Sequence, residues 1–383
     1  MSHPELFLRV LGALVDEVVD FSADLSREDV QRNSIIKDSM RGISPSNPSA
    51  PAPETTVMPR IFGSMVEIIR LASTCNAQNS DCSSSSASLA VLSFSTMKLY
   101  VSWVDINLIM HENVINAIFG SLTSRQGGVA EAAADCVLEI VNKGMDELMK
   151  LQLLQQLNLF EVLSTMSSSS LVLEIKLGEI VNAVGVQLLA LFDNQPSVAA
   201  GFLQQWLQLT VKVLCHNSIE VSSQVFPCLS RFTMSLGKQR GFGGGGTDPA
   251  NDLKAFLPTY LSCLYRQMQY PAGHVFEQGG AGASQGGGIT RTSSIPSQIP
   301  GLGEGEDDSD DEETYRNSLR KMYSKIVRWH PDTTLEFVGM ALSRLPAPLS
   351  SAPFPPCEAA LRLLFHFQEG LSSKGGKLIG GGG

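Results

Sequence analysis

The sequence lacks the short signatures on which catalytic and metal chemistry is usually read. It has no C-x-x-C, no H-E-x-x-H and no G-x-x-x-x-G-K-[ST] phosphate loop. Its six histidines, His3, His111, His216, His274, His330 and His366, are scattered, so neither a zinc ligand set nor a Cys/His pair is assembled. Cys75 and Cys82 stand seven apart across a serine-rich stretch, a poor metal spacing. No catalytic residue, metal site or cofactor is therefore expected, and the protein does not read as an enzyme. GFGGGG (241 to 246) formally matches G-x-G-x-x-G, but the segment before it, SQVFPCLSRFTMSLGK, is helical in pattern where the dinucleotide fingerprint needs a strand, so a linker is the better reading.

Charge is also sparse. Charged residues make up 17% of the 383, and the net charge is -10. Eight acids in one run, Glu304, Glu306, Asp307, Asp308, Asp310, Asp311, Glu312 and Glu313, supply most of it: without them 30 acids face 28 bases. A nearly neutral body argues against a general nucleic-acid coat and leaves room for a local basic strip. The seven cysteines are an odd number with no secretory leader at MSHPELFLRV, so reduced thiols in the cytosol or nucleus are expected. Apolar runs stop short of a membrane span, since LVLEIKLGEIVNAVGVQLLALF carries Glu174, Lys176 and Glu179; no membrane insertion is expected.

What the sequence does hold is helical periodicity. Pro4 to Phe21, Arg27 to Arg41, Pro59 to Thr74 and Ala87 to Asp105 carry apolar residues three and four apart, and Asn251 to Met268 repeats Leu253, Phe256, Leu257, Tyr260, Leu261, Leu264, Tyr265 and Met268 on one face. No comparable period-two runs occur. Helix pairs recurring about every 40 to 47 residues predict an all-α, HEAT/armadillo-like α-solenoid, whose concave face suits large partners. Repeats are expected over 1 to 240, a glycine-rich linker over 241 to 250, a repeat helix over 251 to 270, a disordered glycine/serine-rich and acidic insert over 271 to 313, further repeats over 314 to 371, and a flexible tail over 372 to 383. SPSNPSAPAPETT (44 to 56) and SDCSSSSAS (80 to 88) read as loops.

RNSIIKDSMRG (32 to 42), YVSWVDINLI (100 to 109) and CVLEIVNKGMD (136 to 146), in this order and spacing, resemble exportin-T, the importin-β-type (karyopherin) family that exports tRNA from the nucleus with Ran-GTP. The likeness continues through LGEIVNAVGVQLL, YPAGHVFE with its acidic run, YRNSLRKMYSKIV and EAALRLLFHFQEGL. It implies an internal portion of a longer, non-catalytic carrier that shuttles between nucleus and cytoplasm. The partners implied are Ran-GTP, tRNA and nuclear pore proteins, with the carrier itself a monomer. The alternative is a carrier of protein cargo, or a HEAT scaffold with no nucleic-acid role.

Lys37 and Arg41, four apart, share a helix face, with Ile35, Ile36 and Met40 expected on the buried side. If this helix is the second of its pair, as the resemblance suggests, the two bases face the concave surface and its tRNA. A solvated face beside Asp38 explains them equally well. Asn142 and Lys143 could reach RNA backbone, although a helix end with Gly144 in a left-handed C' position, favoured by Lys143, explains the same stretch. Tyr100 and Trp103 read as packing, and His111 as a capping or packing histidine. For the eight acids three readings stand: a solvated tether, the favoured start of a helix running from Tyr315 to Arg328, or a docking loop for a basic surface. The resemblance points that docking at Ran.

Overall fold

The computed structural model describes residues 2–19, 26–41, 57–75, 83–126, 128–166, 170–238, 249–269, 307–347 and 354–375. Local signals set the helix starts. In α1 (His3–Val18) the Ser2 side chain accepts from the Glu5 N–H, Pro4 occupies the first turn, and Leu8, Leu11, Val15 and Val18 form the buried stripe. Then follow α2 (Arg27–Arg41), α3 (Val57–Cys75), α4 (Ser83–Val101), the single turn α5 (Ile106–Ile109), α6 (Glu112–Ser121), α7 (Val129–Asn142), α8 (Glu147–Gln156) and α9 (Leu159–Thr165). The chain divides into two compact units, 1–183 and 184–383, with the division inside α10 (Leu171–Asn194). The second unit continues with α11 (Pro196–Leu214), α12 (Ile219–Ser222), α13 (Phe226–Lys238), α14 (Pro249–Lys254), α15 (Leu257–Met268), α16 (Asp307–Trp329), α17 (Pro331–Ser343) and α18 (Phe354–Gly375).

No strand occurs among the described residues, and the HEAT-like all-α class read from the sequence is the one found. In the first unit α1, α4 and α7 pack successively in one row, while α3 packs on α6 in the other and on α4 across. In the second unit α11, α15 and α17 form one row and α13, α16 and α18 the facing one. Buried aromatics tie the layers. Tyr100 donates to the Leu11 carbonyl at 3.0 Å and meets Phe62 edge-on; Tyr323 donates to the Leu363 carbonyl at 3.0 Å. At Gly185 a Cβ would overlap the Trp206 indole, so only glycine admits this close approach of α10 and α11.

Several expectations are corrected. α1 stacks on α4, whereas α2 packs against both α1 and α3. On α2 the buried side is set by Asn33, whose amide donates to the Glu17 carbonyl at 3.0 Å, and by Met40; Ile35 is turned out, 53% exposed, because it lies two residues from Asn33, on the opposite side of the helix. α4 begins at Ser83, inside the expected serine-rich loop: Ser88 returns its hydroxyl to the Ser84 carbonyl, which lets a serine run join a helix. The helix expected over 251 to 268 is broken at residues 255–256, where Pro258 supplies no N–H and restarts the chain as the first turn of α15.

α16 starts at Asp307, eight residues before Tyr315, so six of the eight acids lie in its first two turns instead of in a disordered insert. Carboxylates at a helix N-terminus are favoured by the macrodipole. Tyr315, Leu319, Met322, Tyr323 and Ile326 are all buried, as their spacing requires. α18 runs on to Gly375, past the expected tail boundary. Glu304, Glu306, GFGGGG, SPSNPSAPAPETT and most of the 271 to 313 insert lie outside the described residues. α10 is, among the described residues, long and apolar enough to cross a membrane, with mean hydropathy 1.6 over its best 18 residues, where the sequence reading found no such run. Its charges are held inside the fold: Lys176 pairs with Asp135 of α7 at 3.1 Å and with Glu179 at 3.1 Å, and 56% of that window is buried, the mark of a core helix.

Candidate nucleic-acid interface

Helix C-termini leave carbonyls without partners, and basic side chains are their natural complement. Two such ends lie in one row of the first unit, those of α4 and α7. At the end of α4, Lys143 Nζ donates to the carbonyls of Val101 at 2.9 Å and Ser102 at 3.0 Å. The next carbonyl, that of Trp103, accepts from Arg41 Nε at 3.0 Å and from its Nη2. The Arg41 guanidinium lies over the Trp103 indole, 5.5 Å from the ring centroid, and 3.7 Å from Asp38. Asp105 caps α5 just beyond by accepting from the Asn107 N–H. One turn, residues 102–105, thus gathers bases from α2 and from the end of α7.

At the end of α7 the expected left-handed Gly144 is not found. Among the described residues Gly128, which opens α7 with φ +78°, is the one glycine with positive φ. Lys143 leaves the helix at φ -53°, ψ 128°, its N–H on the Ile140 carbonyl, and the carbonyls of Ile140, Val141 and Lys143 accept from Lys150 Nζ of α8. Lys150 is 2% exposed. A buried ammonium does here what a glycine turn does at other helix ends, so no αL residue is required.

The bases act on one another. Burial, then the charge of Arg41, lowers the pKa of Lys37. Burial, then Arg41, lowers that of Lys143, with Asp105 and Glu139 opposing. Burial, then Lys143, pushes Lys150 down to about 8. Four bases therefore converge, with Asp38, Asp105 and Glu139 as nearby acids, and an anion reaching Lys37, Arg41 and Lys143 would relieve their mutual repulsion. Lys150 is too deep to reach one. Asn142 is exposed at the end of α7, while Tyr100 is core and Trp103 half-buried beneath Arg41. His111 caps α6 through Nδ1, 3.4 Å from the Asn113 N.

Of the residues singled out in the sequence, Lys37, Arg41 and Lys143 come together; Lys150 was missed. Its structural part is testable by Lys150→Met, which keeps the length and removes the donors. The Val141 and Lys143 carbonyls then lose this partner while Ile140 keeps the Lys143 N–H, and the expected loss is about 1–3 kcal/mol of unfolding free energy, part of it offset by the ammonium no longer being buried. Urea unfolding followed by circular dichroism measures it; an unchanged midpoint would mean that the end of α7 finds other donors.

Residues 52–137 match the family described as Exportin 1-like protein, a span that includes α3, α4 and the 102–105 turn but not Lys37, Arg41, Lys143 or Lys150. The chain is 24% identical to Exportin-T of Homo sapiens over 96% of its length, 22% identical to Exportin-T of Danio rerio over 98%, and 27% identical to Exportin-T of Dictyostelium discoideum over 61%. It covers 33%, 34% and 20% of those proteins, so it spans at most about a third of the curated relatives it matches.

Proposed function

We propose that this chain, a relative of exportin-T, is part of a carrier that takes tRNA out of the nucleus with Ran-GTP. Recognition would rest on phosphates, since the major groove of duplex RNA is too narrow for side chains to read. Lys37, Arg41 and Lys143 are the contacts offered by the first unit, with Asn142 beside them as a neutral donor. The observation that carries this reading is the convergence of Arg41 of α2 and Lys143 of α7, distant in sequence, at one turn, with Lys37 beside them and both lysines lowered by burial and then by the charge of Arg41. Relatives named Exportin-T that align over nearly the whole chain support it.

The acidic residues Glu304, Glu306, Asp307, Asp308, Asp310, Asp311, Glu312 and Glu313 are the proposed meeting place for a basic surface of Ran. Its attraction falls with salt. Ran-GTP and tRNA would load cooperatively, each favouring the state that binds the other, because such coupling is reciprocal. Nuclear pore proteins are the third proposed partner, and the working places are nucleus and cytoplasm. The molecule acts as a transport receptor and not as a catalyst.

One observation favours a second reading, a scaffold or protein-cargo carrier: Arg41, Lys143 and Lys150 already bond helix-end carbonyls, a sufficient structural reason for their charge. The deciding experiment is capture of folded tRNA by the protein that contains this chain with its flanking regions, with and without Ran-GTP. Retention of tRNA only with Ran-GTP is expected; absent retention in both favours the scaffold, and equal retention in both would contradict Ran-dependent loading.

A further inference from the structure

The second unit holds a pair of thiols that the transport reading does not use. Cys215 follows the last turn of α11 and Cys263 lies in the middle of α15; their Sγ atoms are 2.9 Å apart. The two residues are 48 positions apart, and a specific clamp holds them in register. Gln267, one turn beyond Cys263 on α15, donates through Nε2 to the carbonyls of Leu214 at 2.7 Å and His216 at 2.9 Å, the residues on either side of Cys215. The Gln267 Oε1 in turn accepts from Tyr315 of α16 at 3.0 Å, and the Tyr315 hydroxyl is 2.9 Å from Ser222 Oγ. A buried network thus brackets one sulfur and aims the other at it.

We propose that Cys215 and Cys263 are a reversible oxidation site, a dithiol that peroxide converts to a disulfide joining α11 to α15. Cys215 is half-buried and reachable by a molecule as small as hydrogen peroxide, whereas Cys263 is buried. The hydrogen bond it shares with Cys263, aided by Arg266 and opposed by burial, lowers the Cys215 thiol to about 7, so Cys215 is the nucleophile. The same bond, then burial, raises Cys263, the resolving partner. The Cys215 sulfur attacks one peroxide oxygen, the O–O bond breaks, and a sulfenic acid and one water result. The Cys263 sulfur then attacks the sulfenic sulfur, the S–O bond breaks, its proton leaves with the hydroxide, and a second water forms. Two thiols lose two electrons and two protons in all, and peroxide is reduced to two waters. A small dithiol reverses the bond by exchange. In a reducing compartment the open pair is the resting state and the closed one a response.

The test uses the whole chain. It is reduced, freed of reductant, exposed to hydrogen peroxide, blocked with iodoacetamide and digested without reductant for mass spectrometry. The expected product is one linked pair of peptides containing Cys215 and Cys263, two hydrogens lighter than the sum of its parts and released by dithiothreitol. Cys136 and Cys228, both buried and with thiols pushed up chiefly by burial, serve as internal controls that stay unoxidised. With Cys263→Ser the link disappears and Cys215 proceeds to sulfinic acid. The proposal is overturned if wild-type Cys215 and Cys263 are both recovered alkylated after peroxide, or if Cys215 links to another cysteine instead. The wild-type mapping decides this even if the variant fails to fold.

Discussion

Trp206→Ala is expected to destabilise the second unit by about 3–5 kcal/mol, the range for truncating a fully buried large aromatic. The indole is 0% exposed, meets Phe232 edge-on at 6.2 Å between ring centroids, and lies directly on Gly185. The size of the effect follows from that last contact. A cavity costs least where neighbours collapse into it, and the wall here is helix backbone with no side chain to move in. In a unit of this size the loss corresponds to roughly 6–20 °C of Tm. Thermal unfolding by far-UV circular dichroism measures it, and a fall of less than a few degrees would mean that α10 and α11 repack. The reciprocal change, Gly185→Val, forces side chain against indole and is expected to cost about 1–3 kcal/mol or more by overpacking.

Neutralising the basic cluster is expected to act on binding. Each phosphate contact releases counterions worth a slope of about 0.7–0.9 in log K against log salt, or roughly five- to eightfold in affinity at about 0.1 M salt. Lys37→Gln, Arg41→Gln and Lys143→Gln together should therefore weaken tRNA binding by about a hundredfold or more. Gln keeps an N–H donor for the Trp103, Val101 and Ser102 carbonyls, which limits damage to the helix ends. If circular dichroism shows the triple variant folded and its affinity for tRNA equals the wild type, the three bases are caps only.

How much of this was legible depends on whether the determining partner lay on the same helix. The α1 stripe Leu8, Leu11, Val15 and Val18 and the α16 stripe from Tyr315 to Ile326 were readable, because a helix face is a property of spacing. Ile35 was misplaced because the buried side of α2 is fixed by a polar residue, Asn33, bonded to the Glu17 carbonyl of α1. Lys150 was invisible for a similar reason. A lysine within ELMKLQLLQQ reads as solvent-facing, and its burial follows only from the carbonyls at the end of α7. Gly144 was overread: a glycine after a helix usually stops it, yet the side chain from α8 had already taken that role. For α16 the signal was present, since six acids ahead of Tyr315 are what a helix N-terminus favours, but the same run also reads as a tether.

The convergence of Arg41 and Lys143 on one turn is a tertiary fact that no local pattern encodes, and it is the core of the functional proposal. Its most direct test is the affinity for folded tRNA, with Ran-GTP present, of the protein that contains this chain with its flanking regions, at several salt concentrations between about 50 and 200 mM, for wild type and for the triple glutamine variant. The account predicts a steep loss of wild-type affinity with salt and a log–log slope shallower by about 2–3 in the variant. Identical slopes for the two proteins, or no tRNA binding by the folded wild-type protein with Ran-GTP at low salt, would contradict it.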